Sequence, residues 1–247
     1  MRLKKILFLL LCLIALIGLQ PVGHAASVFQ SFDRNLENEI GYFNYQTVIT
    51  RERIVQLPQN ETSRINNIFN RLVAQTERKQ EIKYRLEVVK DDSVNAFALP
   101  GGYIFVNTGL LSFAQSDAEL AGVLGHEIGH IENRHSMKAL YRTAGATVGW
   151  KVLMYRNQSK NKLNLNRLAG LSMTMVQLGY SREAEFEADR FGVELMQASG
   201  YNKQELINFW KRVESSSGGR NELNGIFKFF STHPPLKERI DRIGLLE

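Results

Sequence analysis

Cysteine, histidine and long apolar runs are all scarce in this chain of 247 residues. The single cysteine, Cys12, excludes an intrachain disulfide and a zinc site built from several thiolates. The longest apolar run, Ile6 to Leu19, has fourteen residues, fewer than the roughly 20 that span a bilayer as a helix. The net charge is +6, but the basic residues form no concentrated patch, so nucleic acid is not an expected partner.

The first 25 residues have the pattern of a signal peptide. Three basic residues precede the apolar run, and Gly23 to Ala25 supply small residues before a cleavage point. Cleavage would remove Cys12 and lower the net charge from +6 to +3, leaving no cysteine to bind zinc. We predict an exported protein, periplasmic or secreted. The alternative is an uncleaved N-terminal segment that tethers the chain to the membrane.

Two of the five histidines stand four apart in His126–Glu127–Ile128–Gly129–His130, which fits H-E-x-x-H. A helix places residues four apart on one face, so both imidazoles can reach one zinc at about 2.0–2.1 Å. Glu127 lies beside them, where a carboxylate can accept a proton from a metal-bound water. The motif indicates a zinc-dependent peptidase.

The neighbouring residues favour this reading over a solvated helix face that happens to carry two histidines. Ser116 to Glu119 form a capping box, which predicts a helix beginning near Asp117. Gly125 and Gly129 each cost that helix about 1 kcal/mol relative to alanine. Such glycines usually have a packing reason, for example the close approach of another backbone.

A catalytic zinc usually has three protein ligands, so a third is needed. We predict a helix capped by Ser181, on which Glu185 and Asp189 share one face and Glu183 and Glu187 point away. Glu185 is the candidate third ligand. Asp189 is spaced to hydrogen-bond a ligating histidine. The alternative is an ordinary acidic helix.

His135 is not expected in the site. It follows His126 by nine residues, which puts it half a turn out of phase if the helix continues. We therefore predict a surface or helix-end histidine.

A β-hairpin is predicted just before the motif helix. Leu99 to Gly102 have proline and glycine where a type II turn requires them, with strands at 93–98 and 103–108. A half-buried strand over Tyr84 to Val88 precedes them, because apolar and polar residues alternate there. A strand beside a metal can bind substrate as an added β-strand. The predicted substrate-binding residues are Asn95, Ala96, Phe97 and Ala98; the alternative is an ordinary internal hairpin.

Helices are predicted on either side of these elements. Phe29 to Phe43 read as an amphipathic helix that packs on the catalytic domain, with an oligomer or membrane contact as the alternative. Thr62 or Ser63 is the predicted cap of the next helix. Residues 136–180 read as two helices joined by a polar turn, which serve in core packing, as a lid, or as a membrane-touching surface.

Four segments, in order over roughly residues 60–247, resemble metallopeptidase family forty-eight. They are Asn95 to Ile104, the H-E-x-x-H helix, Glu185 to Asp189, and Thr232 to Pro235 with Arg239. The resemblance implies a zincin-like (gluzincin) fold, α+β and mainly α, with a small sheet or hairpin beside the active-site helix. It also implies one zinc per chain.

The resemblance carries over residue by residue at the matching motif positions. It implies His126, His130 and Glu185 as zinc ligands and Glu127 as general base. His233 is a candidate oxyanion donor, or a latch in the open zinc position; the alternative is a turn histidine before two prolines.

The expected organisation is a signal peptide over 1–25, an N-terminal helical segment over 26–60 and a metallopeptidase domain over 61–247. No tetratricopeptide partner module is expected. The expected function is endoproteolysis of unfolded or misassembled envelope proteins, in protein quality control, and peripheral membrane contact stays open. The alternatives are a zinc hydrolase of non-peptide bonds and a proteolytically latent zinc-binding chaperone or adaptor on the same fold. Glu127 argues against the latter, because simple zinc binding does not require it.

Overall fold

The structure is a computed structural model that describes residues 22–143, 179–216 and 236–246, together with residues 169, 170, 172–174, 176 and 233. Most of the predicted signal peptide and most of 144–178 lie outside the described residues. The chain divides into two compact units, Met1–Leu36 and Glu37–Glu247. The described part of the first unit is helical. The second unit contains all the features discussed below.

Helices dominate the described residues, and three short strands accompany them. The helices are α1 (Val22–Arg51), α2 (Gln59–Val73), α3 (Thr108–Phe113), α4 (Asp117–Glu132), α5 (His135–Thr143), α6 (Arg182–Ala198), α7 (Lys203–Ser216) and α8 (Leu236–Leu245). The strands are β1 (Arg85–Val89), β2 (Ala96–Leu99) and β3 (Tyr103–Asn107). The predicted fold class, mainly α with a small sheet, is confirmed. Within the described residues, none of the helices combines the length and apolar character needed to cross a membrane.

The sheet has the order β1–β3–β2, with β1 parallel and β2 antiparallel to β3. Ala96 pairs with Val106 and Leu99 with Tyr103, so the predicted hairpin is present. Gly101 has φ 75° and ψ 14°, near the values for the third residue of a type II turn. The strands are shorter than predicted, since β2 begins at Ala96 and α3 begins directly after β3.

The two faces of the sheet contribute to different apolar clusters. Ala98 and Ile104 belong to the main core, together with buried residues of α2, α4, α6, α7 and α8. Phe105 on the other face lies in a smaller cluster with Tyr45 and Val48 of α1. The motif helix α4 packs against β2 of the sheet and against α2, α6 and α7.

The predicted start of α2 is wrong. The helix begins at Gln59 after Pro58, and neither Thr62 nor Ser63 caps it. The Thr62 hydroxyl donates to the Leu57 carbonyl at 3.1 Å, while its N–H bonds the Pro58 carbonyl inside the helix. Proline suits the first residues of a helix, so the start signal was Pro58 and not the threonine.

Candidate metal centre

Hydrogen bonds to the side chains of Ser116 and Glu119 fix the beginning of α4. The Ser116 hydroxyl accepts a hydrogen bond from the Glu119 N–H at 3.1 Å, as a cap should. The Glu119 carboxylate accepts one from the Gln115 N–H at 2.6 Å, and Arg212 of α7 donates to both of its oxygens at 2.7 and 2.6 Å. The helix therefore starts at Asp117, as predicted.

Helices α4 and α6 lie against each other through glycine. A Cβ atom on Gly129 would stand 2.8 Å from the Ala188 carbonyl oxygen, and one on Gly125 would stand 3.0 Å from that of Gly192. A Cβ on Gly192 would meet the His126 nitrogen at 2.8 Å. The predicted reason for the motif glycines, close approach of another backbone, is confirmed.

Helix α6 begins at a serine cap, where the Ser181 hydroxyl accepts from the Ala184 N–H at 3.3 Å. Glu185 and Asp189 then lie one turn apart and are both buried. Glu183 is exposed, as its phase predicts. The acidic residues of α6 therefore fall into two groups: Glu185 and Asp189 are buried, and Glu183 is exposed.

Four buried side chains meet between α4, α6 and the segment before α8. His126, His130, Glu185 and His233 each bring a donor atom to within 4.8 Å of the others. The Nε2 atoms of the first two histidines are 3.0 Å apart, and each is 3.5 Å from a Glu185 oxygen. A tetrahedral zinc with bonds of about 2.0–2.1 Å separates its donors by about 3.3–3.4 Å. The donor chemistry and spacing fit a zinc ion.

The His233 ring lies inside this donor group. Its Nδ1 is 3.0 Å from Glu185 Oε1 and 3.3 Å from His126 Nε2. Its Nε2 is 3.6 Å from Glu127 Oε1. Its neighbours Thr232, Pro234 and Pro235 fall outside the described residues.

Asp189 and Arg239 support the donors from behind. Asp189 Oδ1 is 2.9 Å from His126 Nδ1, which leaves the His126 Nε2 lone pair facing the donor group. The buried Arg239 guanidinium donates to both Asp189 oxygens at 2.7 Å. It also donates to the His233 carbonyl at 3.1 Å and lies 3.2 Å from Glu185 Oε2.

The environment lowers the pKa of two of the donors, His130 and Glu185. Burial, followed by repulsion from His126, lowers the pKa of His130 well below its ordinary value. Burial alone would raise the pKa of Glu185, but attraction to His233 and Arg239 holds it below the ordinary value. A neutral imidazole beside an ionised carboxylate is the combination that zinc binds.

Glu127 is buried next to the donor group. Burial is the main cause that raises the pKa of its carboxyl group, against the attraction of His233 and His126. Within the described residues its Oε1 atom has no hydrogen-bond partner. A buried acceptor without a donor is costly.

His135 lies outside the donor group, as predicted, but the predicted surface position is wrong. Helix α4 ends at Asn133, and Arg134 adopts φ 56°, so the chain turns before α5 begins at His135. His135 is only 2% exposed, and its Nδ1 lies 2.8 Å from His130 Nδ1. The phase argument assumed an unbroken helix. Asn133 was the overlooked signal, because asparagine is common where helices end.

Tyr180 is another neighbour that the motifs did not indicate. Its ring stacks on His130 with centroids 4.2 Å apart, and its hydroxyl shares a hydrogen bond of 2.6 Å with Ser136. Arg239 was noted only as part of a motif, and its buried pairing with Asp189 was not foreseen. Neither the stacking of Tyr180 on His130 nor the pairing of Arg239 with Asp189 leaves a periodic pattern in the sequence.

The predicted substrate-binding residues Asn95 to Ala98 lie on β2, an edge strand among the described residues. The Asn107 N–H donates to the Asn95 carbonyl at 3.0 Å, so this pair and every second pair after it are hydrogen-bonded. The backbone polar groups of Ala96 and Ala98 consequently point away from β3. Ala98 and His130 line the same narrow pocket.

Several known proteins are similar in sequence to this chain over about two thirds of its length or more. It is 30% identical over 225 residues to the mitochondrial metalloendopeptidase OMA1 of Saccharomyces cerevisiae, covering 85% of this chain and 64% of that protein. It is 29% identical over 162 residues to the metalloprotease YcaL of Escherichia coli, covering 66% and 61%. It is 30% identical over 186 residues to a putative beta-barrel assembly-enhancing protease of Vibrio cholerae, covering 70% and 34%.

The chain spans between about a third and just under two thirds of the length of these relatives. The sequence profile described as "Peptidase family M48" matches residues 59–246, more than half of the chain. This stretch contains α2 to α8, the sheet and all four donor residues. The chain therefore belongs to Peptidase family M48, as its sequence motifs predict.

Proposed function

We propose that this chain is a zinc-dependent endopeptidase in which His126, His130 and Glu185 hold one zinc ion and Glu127 is the general base. The observation that carries the proposal is the buried donor group, which brings three imidazoles and an ionised carboxylate together at zinc-like spacing. Asp189 orients the His126 ring by accepting a hydrogen bond from His126 Nδ1. Family membership supports the same assignment.

A zinc ion held by His126, His130 and Glu185 would polarise a water molecule and lower its pKa towards 7. Glu127 would accept the proton of that water as the water oxygen adds to the peptide carbonyl, since the buried Glu127 Oε1 lies beside the donor group, 3.6 Å from His233 Nε2. The same carboxyl group then delivers the proton to the leaving nitrogen. The close packing of α4 and α6 holds the carboxylate and the ligands in one fixed geometry.

His233 is proposed to act as a latch and not as an oxyanion donor. Its Nδ1 atom lies 3.0 Å from Glu185 and is one of the four donors, so the ring occupies the place that an attacking water needs. An oxyanion donor would instead stand beside that place. In this proposal the enzyme has low activity while the His233 ring stays in the donor group, and its activity rises when the ring leaves. His233→Ala should then raise peptidase activity, whereas lost activity would favour the donor role.

Substrate is proposed to bind as an additional strand on β2. The backbone groups of Ala96 and Ala98 point away from β3, in the direction needed to pair with an extended peptide; both residues are buried, so the peptide would have to displace the groups that cover them. Ala98 lies on the same pocket as His130, which brings that peptide towards the donor group. Asn95 and Phe97 hold the strand in register with β3. Main-chain pairing has little sequence preference, so unfolded polypeptides are the proposed substrates.

The proposed setting is the cell envelope of a bacterium, in protein quality control. The basic and apolar residues at the start of the sequence support export, with residues 1–25 as signal peptide, 26–60 as a helical segment and 61–247 as peptidase domain. Relatives in Vibrio cholerae and Yersinia pestis are named as beta-barrel assembly-enhancing proteases, one of them putatively. Unfolded or misassembled envelope proteins are the corresponding proposed substrates.

The test is cleavage of casein by the zinc-loaded wild type beside Glu127→Gln and His233→Ala. Cleavage that disappears in Glu127→Gln, while that variant stays folded and holds one zinc, supports the peptidase. If neither the wild type nor His233→Ala cuts despite bound zinc, the peptidase proposal fails. The chain would then be a zinc-binding chaperone or adaptor.

A further inference from the structure

A line of polar contacts leaves the donor group through the rear of His130. Its Nε2 faces the other donors, while its Nδ1 lies 2.8 Å from His135 Nδ1. The His135 Nε2 atom in turn lies 3.1 Å from Glu187 Oε2. His135 is 2% exposed, whereas the Glu187 side chain is about half exposed at 54%. The contacts therefore run from the buried centre to the surface of α6.

These three contacts permit only one arrangement of hydrogens on neutral rings. An ionised carboxylate only accepts, so His135 Nε2 must carry a hydrogen and donate it to Glu187. A neutral His135 then has a lone pair on Nδ1. The Nδ1 of His130 must consequently be the donor, and its Nε2 keeps the lone pair that points at the donor group. A zinc ligand needs that tautomer.

We propose that His135 and Glu187 form a positioning relay that fixes the tautomer and ring orientation of His130 as a metal ligand. The relay is the counterpart of Asp189, which holds His126 in the same way. This inference rests on the proposed zinc site. His135 contacts only the rear Nδ1 atom of His130, and Glu187 contacts His135. Both residues therefore act through His130 and are positioning residues, not catalytic residues.

The backbone places His135 in the relay at a conformational cost. Arg134 has φ 56°, in the left-handed region that disfavours residues with a side chain. Its Nε donates at 2.9 Å to Glu37 of α1, and Arg78 donates to the same carboxylate at 2.7 Å. Glu37 is buried, so this ion-pair cluster holds the turn in place. Without the turn, His135 would lie about 140° around the axis of α4 from His130.

The sharpest test compares two substitutions of His135. Asparagine carries an oxygen near the position of Nδ1, so His135→Asn keeps an acceptor for His130, whereas His135→Leu removes it. Loss of such an outer partner typically weakens metal affinity or activity about 10–100-fold. We expect His135→Leu to raise the zinc dissociation constant at least about 10-fold and His135→Asn to stay within about threefold of wild type. Chelator competition measures both.

A matched pair on α6 tests the outer end of the relay. Glu187→Ala should weaken zinc binding severalfold. Glu194→Ala removes a similarly exposed carboxylate that pairs with Arg190 on the same helix, and should leave zinc binding unchanged. Equal zinc affinity in the two alanine variants, or equal affinity in His135→Leu and wild type, would overturn the relay. Failure of the wild type to bind zinc would instead overturn the proposed function.

The positions of the ring hydrogens can be measured in the wild type, so this test does not require any variant to fold. Nitrogen-15 NMR of the zinc-loaded wild type, with labelled histidine, reports which ring nitrogen carries hydrogen. The relay predicts His135 with hydrogen on Nε2 and His130 with hydrogen on Nδ1. Hydrogen on His135 Nδ1 would refute it.

Discussion

Replacing Gly129 by alanine tests whether the close packing of α4 and α6 builds the metal centre. The new Cβ would lie 2.8 Å from the Ala188 carbonyl oxygen and 3.0 Å from its Cα, both backbone atoms that cannot rotate away. Ordinary contact begins near 3.4 Å, so the helices must separate by about half an ångström. Helix α6 carries Glu185 and Asp189, which move with it.

Stability and function should respond to Gly129→Ala by different amounts. Overpacking costs about 1–3 kcal/mol, while alanine's better helix propensity returns about 1 kcal/mol. We expect the free energy of unfolding in urea to fall by only about 1 kcal/mol. Misplacement by about 1 Å can reduce catalysis about 100-fold, so zinc affinity and casein cleavage should each fall about 10-fold or more.

The matched control is Gly244→Ala, because a Cβ there meets nothing within 4 Å. That substitution should leave zinc affinity unchanged and stabilise α8 by up to about 1 kcal/mol. If Gly129→Ala bound zinc and cleaved casein like Gly244→Ala, the account of the glycine contacts would be wrong.

Three further substitutions test other parts of the structure. Arg239→Met leaves two buried carboxylates without their cation, so urea unfolding should show a loss of about 3–5 kcal/mol, and a loss below about 1 kcal/mol would contradict the burial argument. Glu37→Gln weakens pairs with two partly solvated arginines, so a smaller loss of about 1–2 kcal/mol is expected by the same assay. Ala98→Pro removes an N–H that points away from β3, so the chain should stay folded while KM for casein rises severalfold; an unchanged KM would argue against strand addition on β2.

Local signals in the sequence were enough to predict the motif helix and its partner. The caps Ser116 and Ser181 fixed where α4 and α6 begin, and spacings of four set which acidic residues turn inward. The alternation near β1 and the proline–glycine turn predicted the strands, because their geometry follows from neighbouring residues.

Contacts that depend on a break in periodicity could not be predicted this way. His135 was assigned to the surface because its phase was counted along a helix that ends at Asn133. The meeting of Arg239 with Asp189 joins residues 50 apart, and the stacking of Tyr180 on His130 joins residues from separate elements. Such pairings are decided by tertiary packing, which leaves no local pattern.

Anomalous diffraction at the zinc edge from crystals of the zinc-loaded chain tests the central claim most directly. The account predicts one peak among the donor atoms, about 2.0–2.2 Å from Nε2 of His126, Nε2 of His130 and a Glu185 oxygen. A peak held by other residues, or no peak in protein that cleaves casein, would contradict the assignment of the metal centre.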